Sequence, residues 1–397
     1  MSDAARAHAE AGAAHIAAGN YLAAQASYEQ ALLLNVDAYI WHYGLGLALQ
    51  KSKQYDAAIS AYDKVIALYP TMAYAHFAKA QCALMVGDFA GGWPAYEWRI
   101  QFDEIPPNPF YKLSPPTWTL EAIKGKTVLL WHEQGFGDMI QFSRFLPLIA
   151  QSAAKVYWVV HPLLRRLFEQ SFSLPNVVIT SITNPMPEHD AHCSVMSLPL
   201  ICGIDCLEKI PDHPYLFANP EQVASWQKKI SVSANPGLRV GLVWAGGIRS
   251  DNPEAEAIDS QRSMPLATLS TLSAVKDIQF FSLQKDHPSR QIHSLSSDLW
   301  HGEPMIDWTS ELHDWADSAN FVSNLDLVIT CCTAVAHLAA AMGKPTWILL
   351  DDSACWRWLQ ERSDSAWYPT VRLFRQSKTG DWDEVVDRVS AALKELL

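Results

Sequence analysis

The chain has 397 residues, of which 49% are hydrophobic and 18% charged, a mixture typical of a globular protein of two or three domains. A formal net charge of −12, without any cluster of Lys and Arg, argues against nucleic acid as a partner. No run approaches the roughly 18 apolar residues of a spanning helix, and residues 1–15 lack the apolar core of a secretion signal. We therefore expect a cytoplasmic protein with no membrane span, and reduced thiols for its seven cysteines.

A spacing of 34 residues runs through the first hundred residues. The aligned positions are Gly12, Gly46 and Ala80; Ala24, Ala58 and Gly92; Tyr28, Tyr62 and Tyr96; and Tyr21, Tyr55 and Phe89. Small and aromatic residues that recur at this period predict pairs of packed helices, and they resemble the tetratricopeptide repeat. We therefore predict a helical repeat domain over residues 1–100 that binds a peptide or a partner protein.

The rest of the chain changes character after a proline-rich segment, residues 101–125, which predicts a linker. Short apolar runs then alternate with amphipathic stretches, a pattern that predicts parallel sheets covered by helices. The predicted strands are 127–131, 156–160, 177–179, 239–244, 279–283, 325–330, 346–350 and 371–374, with helices at 265–274, 312–323 and 334–342. Two Rossmann-like α/β domains follow from this, at 126–235 and 236–397, with ligands expected in the cleft between them at the carboxyl ends of strands.

The first motif, HEQGFGD at 132–138, joins a predicted strand to a predicted helix. Its glycines, including Gly137, let a ligand approach the main chain, but the third glycine of a dinucleotide fingerprint is missing, which argues against a dehydrogenase. Asp138 fits two roles, a cap that accepts backbone N–H bonds and a general base in the cleft. His132 and Glu133, at the same strand end, fit either titrating groups or buried partners of the loop.

The second motif is the glycine pair Gly246 and Gly247 after the strand at 239–244, followed by Arg262 before a predicted helix. The glycines allow a phosphate or sugar near the main chain, and Arg262 is suited to bind a diphosphate bidentately. An exposed arginine without a ligand is the alternative. The polar stretch at 252–261 fits a mobile loop over a donor or a surface insertion.

The third motif follows the strand at 325–330, where a helix rich in small residues begins near Thr333. The backbone N–H groups of Thr333, Ala334 and Val335 have no partner within such a helix and are suited to bind phosphate oxygens. His337, about one turn further, fits either a ligand contact or a packed histidine.

Together these motifs resemble the heptosyltransferase family of the GT-B glycosyltransferase fold, and more closely the bacterial proteins that join tetratricopeptide repeats to such a transferase. The matching segments are GFGD at 135–138, RSMPL at 262–266, SLQKD at 282–286, TAVAHLAAAMGKP at 333–345 and WRWLQERSDSAWYPTVRLFRQ at 356–376. The resemblance implies that Asp138 is the catalytic base and that donor phosphates bind at Arg262 and at the turn 332–337. It also adds Gln284 to the donor site. Relatives usually carry Asp where this chain has Cys332, so one polar contact of the family is missing.

The resemblance implies a metal-independent enzyme without a cofactor, the nucleotide-sugar being a substrate. The Asp-x-Asp at 381–383 precedes a predicted helix and reads better as a cap than as a metal site. The aromatic clusters at 356–358, which include Trp356, and at 365–369 fit either the border of a nucleotide site or aromatic packing.

The sequence thus predicts a glycosyltransferase that moves a sugar from a nucleotide-sugar to a Ser or Thr hydroxyl of a protein held by the repeats. The resemblance makes a flagellin one candidate acceptor. Two alternatives stay open. One is a transferase whose acceptor is lipid-linked or a saccharide, and the other is a non-catalytic scaffold that binds nucleotide, which the Cys332 departure allows.

Overall fold

The computed structural model describes residues 2–102, 110, 118–181, 186–247, 253–296 and 298–397, apart from the side chains of 253–255. The chain divides into two compact units. One contains Met1–Thr117, Pro199–Ile210 and Cys355–Glu361, and the other contains Trp118–Leu198, Pro211–Ala354 and Arg362–Leu397. The predicted repeats lie in the first unit and the sheets of both predicted α/β domains in the second, while most of the predicted linker lies outside the described residues.

The repeat unit is built from consecutive pairs of packed helices. They are α1 (Asp3–Ala17), α2 (Tyr21–Leu34), α3 (Tyr39–Lys51), α4 (Tyr55–Leu68), α5 (Ala73–Val86) and α6 (Phe89–Tyr96). Glycine on the first helix of a pair gives room for tyrosine on the second: a Cβ on Gly12 would lie 2.8 Å from the Tyr28 ring, and one on Gly46 only 2.5 Å from the Tyr62 ring. This contact explains the 34-residue spacing, and the prediction of helical repeats is confirmed.

The third repeat is completed by a segment from far along the chain. Trp356–Trp358 forms a 3₁₀ helix within the same compact unit. The Trp356 ring meets Trp93 edge-on, with centroids 5.3 Å apart, and also contacts Tyr96 at 6.2 Å. Since all three rings are buried, the segment covers an aromatic surface that α6 would otherwise expose.

The first sheet of the α/β unit consists of four parallel strands in the order β3-β2-β1-β4. The strands are β1 (Thr127–Trp131), β2 (Lys155–Val160), β3 (Val177–Ser181) and β4 (Ala191–Ser194). The helices of this part are α7 (Phe136–Phe142), α8 (Leu146–Ser152) and α9 (Pro162–Ser171). Helix α10 (Leu198–Ile201) begins at the last residue of this stretch, and its other residues belong to the first unit. The sequence did not predict β4, because its residues AHCS form no apolar run.

The second sheet consists of six parallel strands in the order β10-β9-β8-β5-β6-β7. The strands are β5 (Leu238–Val243), β6 (Ile278–Ser282), β7 (Ile306–Asp307), β8 (Leu327–Cys331), β9 (Thr346–Leu350) and β10 (Val371–Arg375). The helices are α11 (Pro220–Ser233), α12 (Pro253–Arg262), α13 (Trp315–Val322), α14 (Ala334–Ala341) and α15 (Trp382–Leu396). Strands β6, β8 and β9 are buried along their whole length, as strands covered by helices on both faces must be.

The prediction of helical repeats followed by parallel α/β sheets is confirmed, with local differences. The polar stretch predicted as a loop at 252–261 is mostly helix α12, because its Glu and Ala residues favour helix. The predicted helix at 265–274 is a 3₁₀ helix, Leu266–Ala274.

Asp381 caps α15 by accepting the Glu384 N–H at 3.2 Å, which is the capping role read from the sequence. Within the described ranges, no helix has the length and apolarity needed to cross a bilayer.

Candidate functional site

The strand order of the second sheet defines where a ligand is expected. From β5 the chain proceeds to β6 and β7 on one side, and then to β8, β9 and β10 on the other. The carboxyl ends of β5 and β8 therefore flank a crevice at the switch point, where open parallel sheets bind their ligands. The segment with Gly246 and Gly247 follows β5, and the turn with Cys332 and Thr333 follows β8.

Arg262 joins these two segments. Its guanidinium donates from Nη1 to the Cys332 carbonyl oxygen at 2.9 Å and from Nη2 to the carboxylate of Asp259, a buried residue of the same helix. A Cβ on Gly246 would lie 2.8 Å from Nε of Arg262, so this glycine is needed for the close approach, whereas Gly247 has open space around it. The Nε atom is buried without a hydrogen-bond acceptor in the part of the chain described.

Gln284 lies at the same strand ends but binds the main chain. Its Oε1 accepts the N–H groups of Trp244 and Ala245, at 3.1 and 2.9 Å. Its Nε2 donates to the carbonyl oxygens of Ala245 and Lys285, both at 3.1 Å. The side chain thus fixes the loop that leads to the glycine pair, so we assign Gln284 a positioning role within the predicted donor site.

Helix α14 begins at Ala334, directly after Thr333. Thr333 is the N-cap in extended conformation, but its hydroxyl lies 3.1 Å from the Thr330 hydroxyl and does not cap the helix. Ala334 and Val335 in the first turn are half-buried. An anion at this helix start would meet backbone N–H groups and the positive end of the helix dipole.

Helices α7 and α14 pack on each other and bring the first and third motifs together. A Cβ on Gly137 would lie 2.9 Å from Cδ2 of His337 and 3.5 Å from the Cα of Ala334. His337 is buried, and its Nδ1 lies 2.9 Å from the Tyr368 hydroxyl. Gly137, which follows the first strand of one sheet, therefore permits close contact with helix α14 of the other sheet.

Asp138 occupies the third position of α7, and its Oδ2 accepts the Gly135 N–H at 2.9 Å. The capping role is thus present, although Gly135 has no side chain to make the reciprocal bond of a capping box. The carboxylate is half-buried. Because a carboxylate offers about four lone-pair positions, the capping bond does not by itself prevent a role as proton acceptor.

Two histidines follow neighbouring strands beside the Asp138 loop. Burial lowers the pKa of His132, and the nearby His161 lowers it further, against a small opposing contribution from the main chain of Val159. Burial also lowers the pKa of His161, whose Nδ1 accepts the Leu163 N–H at 3.2 Å. Both imidazoles are therefore neutral at neutral pH. The sequence reading identified His132 but missed His161, whose only signal was its place directly after a strand and before a proline.

Two further residues named from the sequence, Glu133 and Trp356, are not placed in the proposed donor site. Glu133 is buried two residues after the end of β1. Trp356 packs within the repeat unit against Trp93, so we leave it out of the proposed donor site. In the described parts of the chain, no group of three or more His, Cys, Asp or Glu side chains is arranged to hold a metal ion.

Comparison with known proteins identifies the first unit directly. The tetratricopeptide repeat family matches residues 9–73 and 48–97, so this part of the chain consists of tetratricopeptide repeats. The chain is also similar to Protein FlbA of Caulobacter vibrioides (strain ATCC 19089 / CIP 103742 / CB 15), with 26% identity over 346 residues. The match covers 82% of this chain and 55% of that protein, so the chain spans about half the length of this curated relative.

Two solved structures are similar over most of the chain. The glycosyl transferase family 9 protein from Veillonella parvula DSM 2008 is 10% identical, with a TM-score of 0.47 over 69% of this chain and 91% of that one. The E. coli ADP-heptose lps heptosyltransferase II is 12% identical, with a TM-score of 0.45 over 68% of this chain and 100% of that one.

Proposed function

We propose that this protein is a glycosyltransferase that moves a sugar from a nucleotide-sugar to a Ser or Thr hydroxyl of a protein acceptor bound by the repeats. The observation that carries the proposal is the packing of Gly137 on His337, which puts the Asp138 loop of one sheet beside the Thr333 helix start of the other. Transfer between two substrates requires such a meeting of two binding elements in fixed geometry.

The donor side is suited to a diphosphate. Arg262 has a buried Nε–H facing Gly246 that lacks an acceptor among the described residues, and α14 begins without a side-chain cap from Thr333. Phosphate oxygens would supply acceptors to both. The contacts that we propose for the donor are Gly246, Gly247, Arg262, Thr333, Ala334 and His337. A departing nucleotide phosphate gains charge, so these donors would stabilise it most in the transition state.

The acceptor side is the Asp138 loop. In the proposed reaction, the acceptor hydroxyl attacks the anomeric carbon of the donor, its proton passes to the Asp138 carboxylate, and the nucleoside diphosphate leaves. Burial favours the neutral form of the neighbouring imidazoles of His132 and His161, so they place little positive charge beside this loop.

The tetratricopeptide repeats support a protein as the acceptor, because concave repeat arrays of this kind bind extended peptides. A flagellin is the first acceptor to test, on the resemblance stated for the sequence. A cytoplasmic location and independence from metal ions are part of the same proposal.

The first experiment is thermal stabilisation of the full chain by UDP, GDP, ADP, CMP and their sugars, each with and without EDTA. A nucleotide at a hundred times its dissociation constant should add about 2.7 kcal/mol to the stability of the folded state. We expect one nucleotide class to stabilise the protein equally in EDTA. A requirement for divalent ions would contradict metal independence.

The second experiment replaces the proposed base, Asp138→Asn, which keeps an oxygen for the capping bond and removes the charge. We expect transfer of labelled sugar to fall by at least about 100-fold while nucleotide binding is retained. Asp383→Asn, in the exposed first turn of α15, is the matched control. Unchanged transfer by the Asp138 variant would rule it out as the base. Label on a saccharide or lipid instead of protein would favour a transferase with a saccharide or lipid-linked acceptor. Nucleotide binding without any transfer would favour a non-catalytic scaffold.

A further inference from the structure

A cluster of charged side chains joins the two sheets and has no part in the steps above. Helix α9 follows β2 of the first sheet, α13 precedes β8 of the second, and the two helices pack on each other. A helix that connects parallel strands runs antiparallel to them, so each of these helices begins at the carboxyl edge of its sheet, where ligands bind. The two helices therefore meet at the edges that flank the proposed site.

Arg166 of α9 makes the ionic contact between the two helices. Its Nε donates to Oδ2 of Asp314 at 2.8 Å and its Nη2 donates to Oδ1 at 2.6 Å, while Nη2 also donates to the carboxylate of Asp317. Burial alone would raise the pKa of Asp314, but hydrogen bonds from Arg166 and from the main chain outweigh it and lower that pKa. A paired contact between a guanidinium and a carboxylate fixes orientation as well as distance.

The two carboxylates are attached firmly to the start of α13. Asp314 is the N-cap, whose Oδ1 accepts the Asp317 N–H at 2.9 Å, and Oδ2 of Asp317 accepts the His313 N–H at 3.0 Å. Their side chains are only 19% and 20% exposed, against 51% for Arg166. Exposed ion pairs usually contribute little because both side chains lose freedom, but here one side is already fixed. The bonds from Arg166 therefore restrain the whole helix start.

The same two helix starts contact the loop that contains Asp138. Phe136, the first residue of α7, lies with its ring centroid 5.5 Å from that of Trp315, the first residue of α13. The Phe136 ring also meets the ring of His161, the N-cap of α9, edge-on at 4.8 Å. A change in the separation of α9 and α13 would therefore alter the ring contacts of this loop.

We propose that Arg166 is a positioning residue whose ion cluster with Asp314 and Asp317, the inter-sheet clasp, holds the two sheets at the separation that binds the donor. A protein that adopts its binding-competent arrangement for a smaller fraction of the time binds its ligand more weakly by that fraction. The effect on the donor rests on the proposed function, whereas the restraint on the helices does not.

The first test is hydrogen exchange in the full chain without ligand. Arg166→Met keeps the apolar stem, and because the side chain is half-exposed the variant should fold. We expect exchange about 3- to 5-fold faster in α7 and in the first turn of α13, the range for losing a partly exposed ion network. Arg165→Met, which removes an ion pair with Glu169 inside α9, is the control. Faster exchange confined to α9 would overturn the proposal.

The second test separates the clasp from simple electrostatics. Asp314→Ser keeps an N-cap oxygen but cannot accept two bonds from Arg166. Removal of a negative charge would by itself tighten the binding of an anionic nucleotide, whereas loss of the clasp weakens it. With UDP, GDP and ADP as probes in calorimetry, we expect the Kd of the nucleotide that binds to rise about 3- to 5-fold in both Arg166→Met and Asp314→Ser. An unchanged or lower Kd in Asp314→Ser would overturn the proposal.

Kinetics distinguish positioning of the donor from a direct part in the reaction. In Arg166→Met we expect the KM for the donor to rise about 3- to 5-fold with little change in kcat, as for the loss of binding that is equal in the ground and transition states. A loss confined to kcat would overturn the proposal. If the native protein binds none of these nucleotides, the donor side of the proposed function fails, and hydrogen exchange alone decides whether the clasp exists.

Discussion

The contacts inside the repeats and those inside the α/β unit differ in how far apart along the chain their residues lie. In the first two repeats, the contact between glycine and tyrosine joins two residues of the same repeat, such as Gly46 and Tyr62. In the α/β unit, the bond from Arg144 to the Trp367 carbonyl oxygen spans 223 positions of the chain. Local contacts make the repeats modular, so a substitution in one helix pair should destabilise mainly that pair. Contacts between distant parts of the chain make the site depend on the whole unit. A substitution at one end of the unit should therefore destabilise the other end.

The largest effect is expected from Arg144→Met, which keeps the apolar stem of the side chain and removes the guanidinium. Each of the carbonyl oxygens of Pro211 and Trp367 then loses a buried donor, at a cost of about 1–3 kcal/mol for each unsatisfied group. Hydrogen exchange followed by mass spectrometry should show faster exchange in α7, α14 and β10 together, with the repeats unchanged. Arg165→Met, which removes an exposed ion pair with Glu169, is the control. Loss of protection confined to the neighbourhood of residue 144 would contradict the idea of a single cooperative unit.

An intermediate effect is expected from Gly46→Ala in the repeats. The new Cβ would lie 2.5 Å from the Tyr62 ring, and overpacking of this kind costs about 1–3 kcal/mol. The free energy of unfolding of the repeats, followed in urea, should fall, and hydrogen exchange should rise in α3 and α4 while the α/β unit keeps its protection. Ser60→Ala on the exposed face of α4 provides a comparison. Exchange that rises equally throughout the chain would show that the repeats are not modular.

The smallest effect is expected from Asp259→Asn, which keeps an acceptor for Arg262 and removes the negative charge beside it. The carboxylate offsets the potential that the guanidinium presents to a diphosphate, so calorimetry should show nucleotide binding that is tighter by about 0.2–1 kcal/mol, the range for a partly exposed ion pair. Asp286→Asn, at an exposed position after β6, is the control. Weaker binding in the Asp259 variant would mean that the carboxylate is needed chiefly to hold Arg262 in place.

The success of the sequence-based predictions follows the same distinction between local and long-range contacts. The strands at 127–131 and 346–350 have the predicted bounds, because each is a Thr followed by four apolar residues and then a polar one. Strands β4 and β7 were missed, because one is polar and the other contains only two residues. Their pairing is supplied by a neighbouring strand and not by their own composition.

The candidate site shows the same limit. Glycine motifs, a helix start and an arginine are visible in sequence because each is a local pattern, and the structure brings Gly246, Arg262 and Cys332 into contact. Asp259 meets Arg262 only because the stretch predicted as a loop forms a helix. The resemblance assigned Gln284 to the donor site, but its four hydrogen bonds to the main chain could not be read from its position in the sequence.

The segment that completes the third repeat also sets a constraint on biosynthesis. Trp93 and Tyr96 are synthesised early, yet the Trp356 ring that covers them emerges from the ribosome only after most of the chain. Domains usually fold in the order in which they are made, from the N-terminus. Here the first and second repeats can close at once, whereas the third stays incomplete until translation has passed residue 361. A nascent chain of this protein therefore carries an exposed aromatic surface for much of its synthesis, and that surface is a natural binding site for a chaperone.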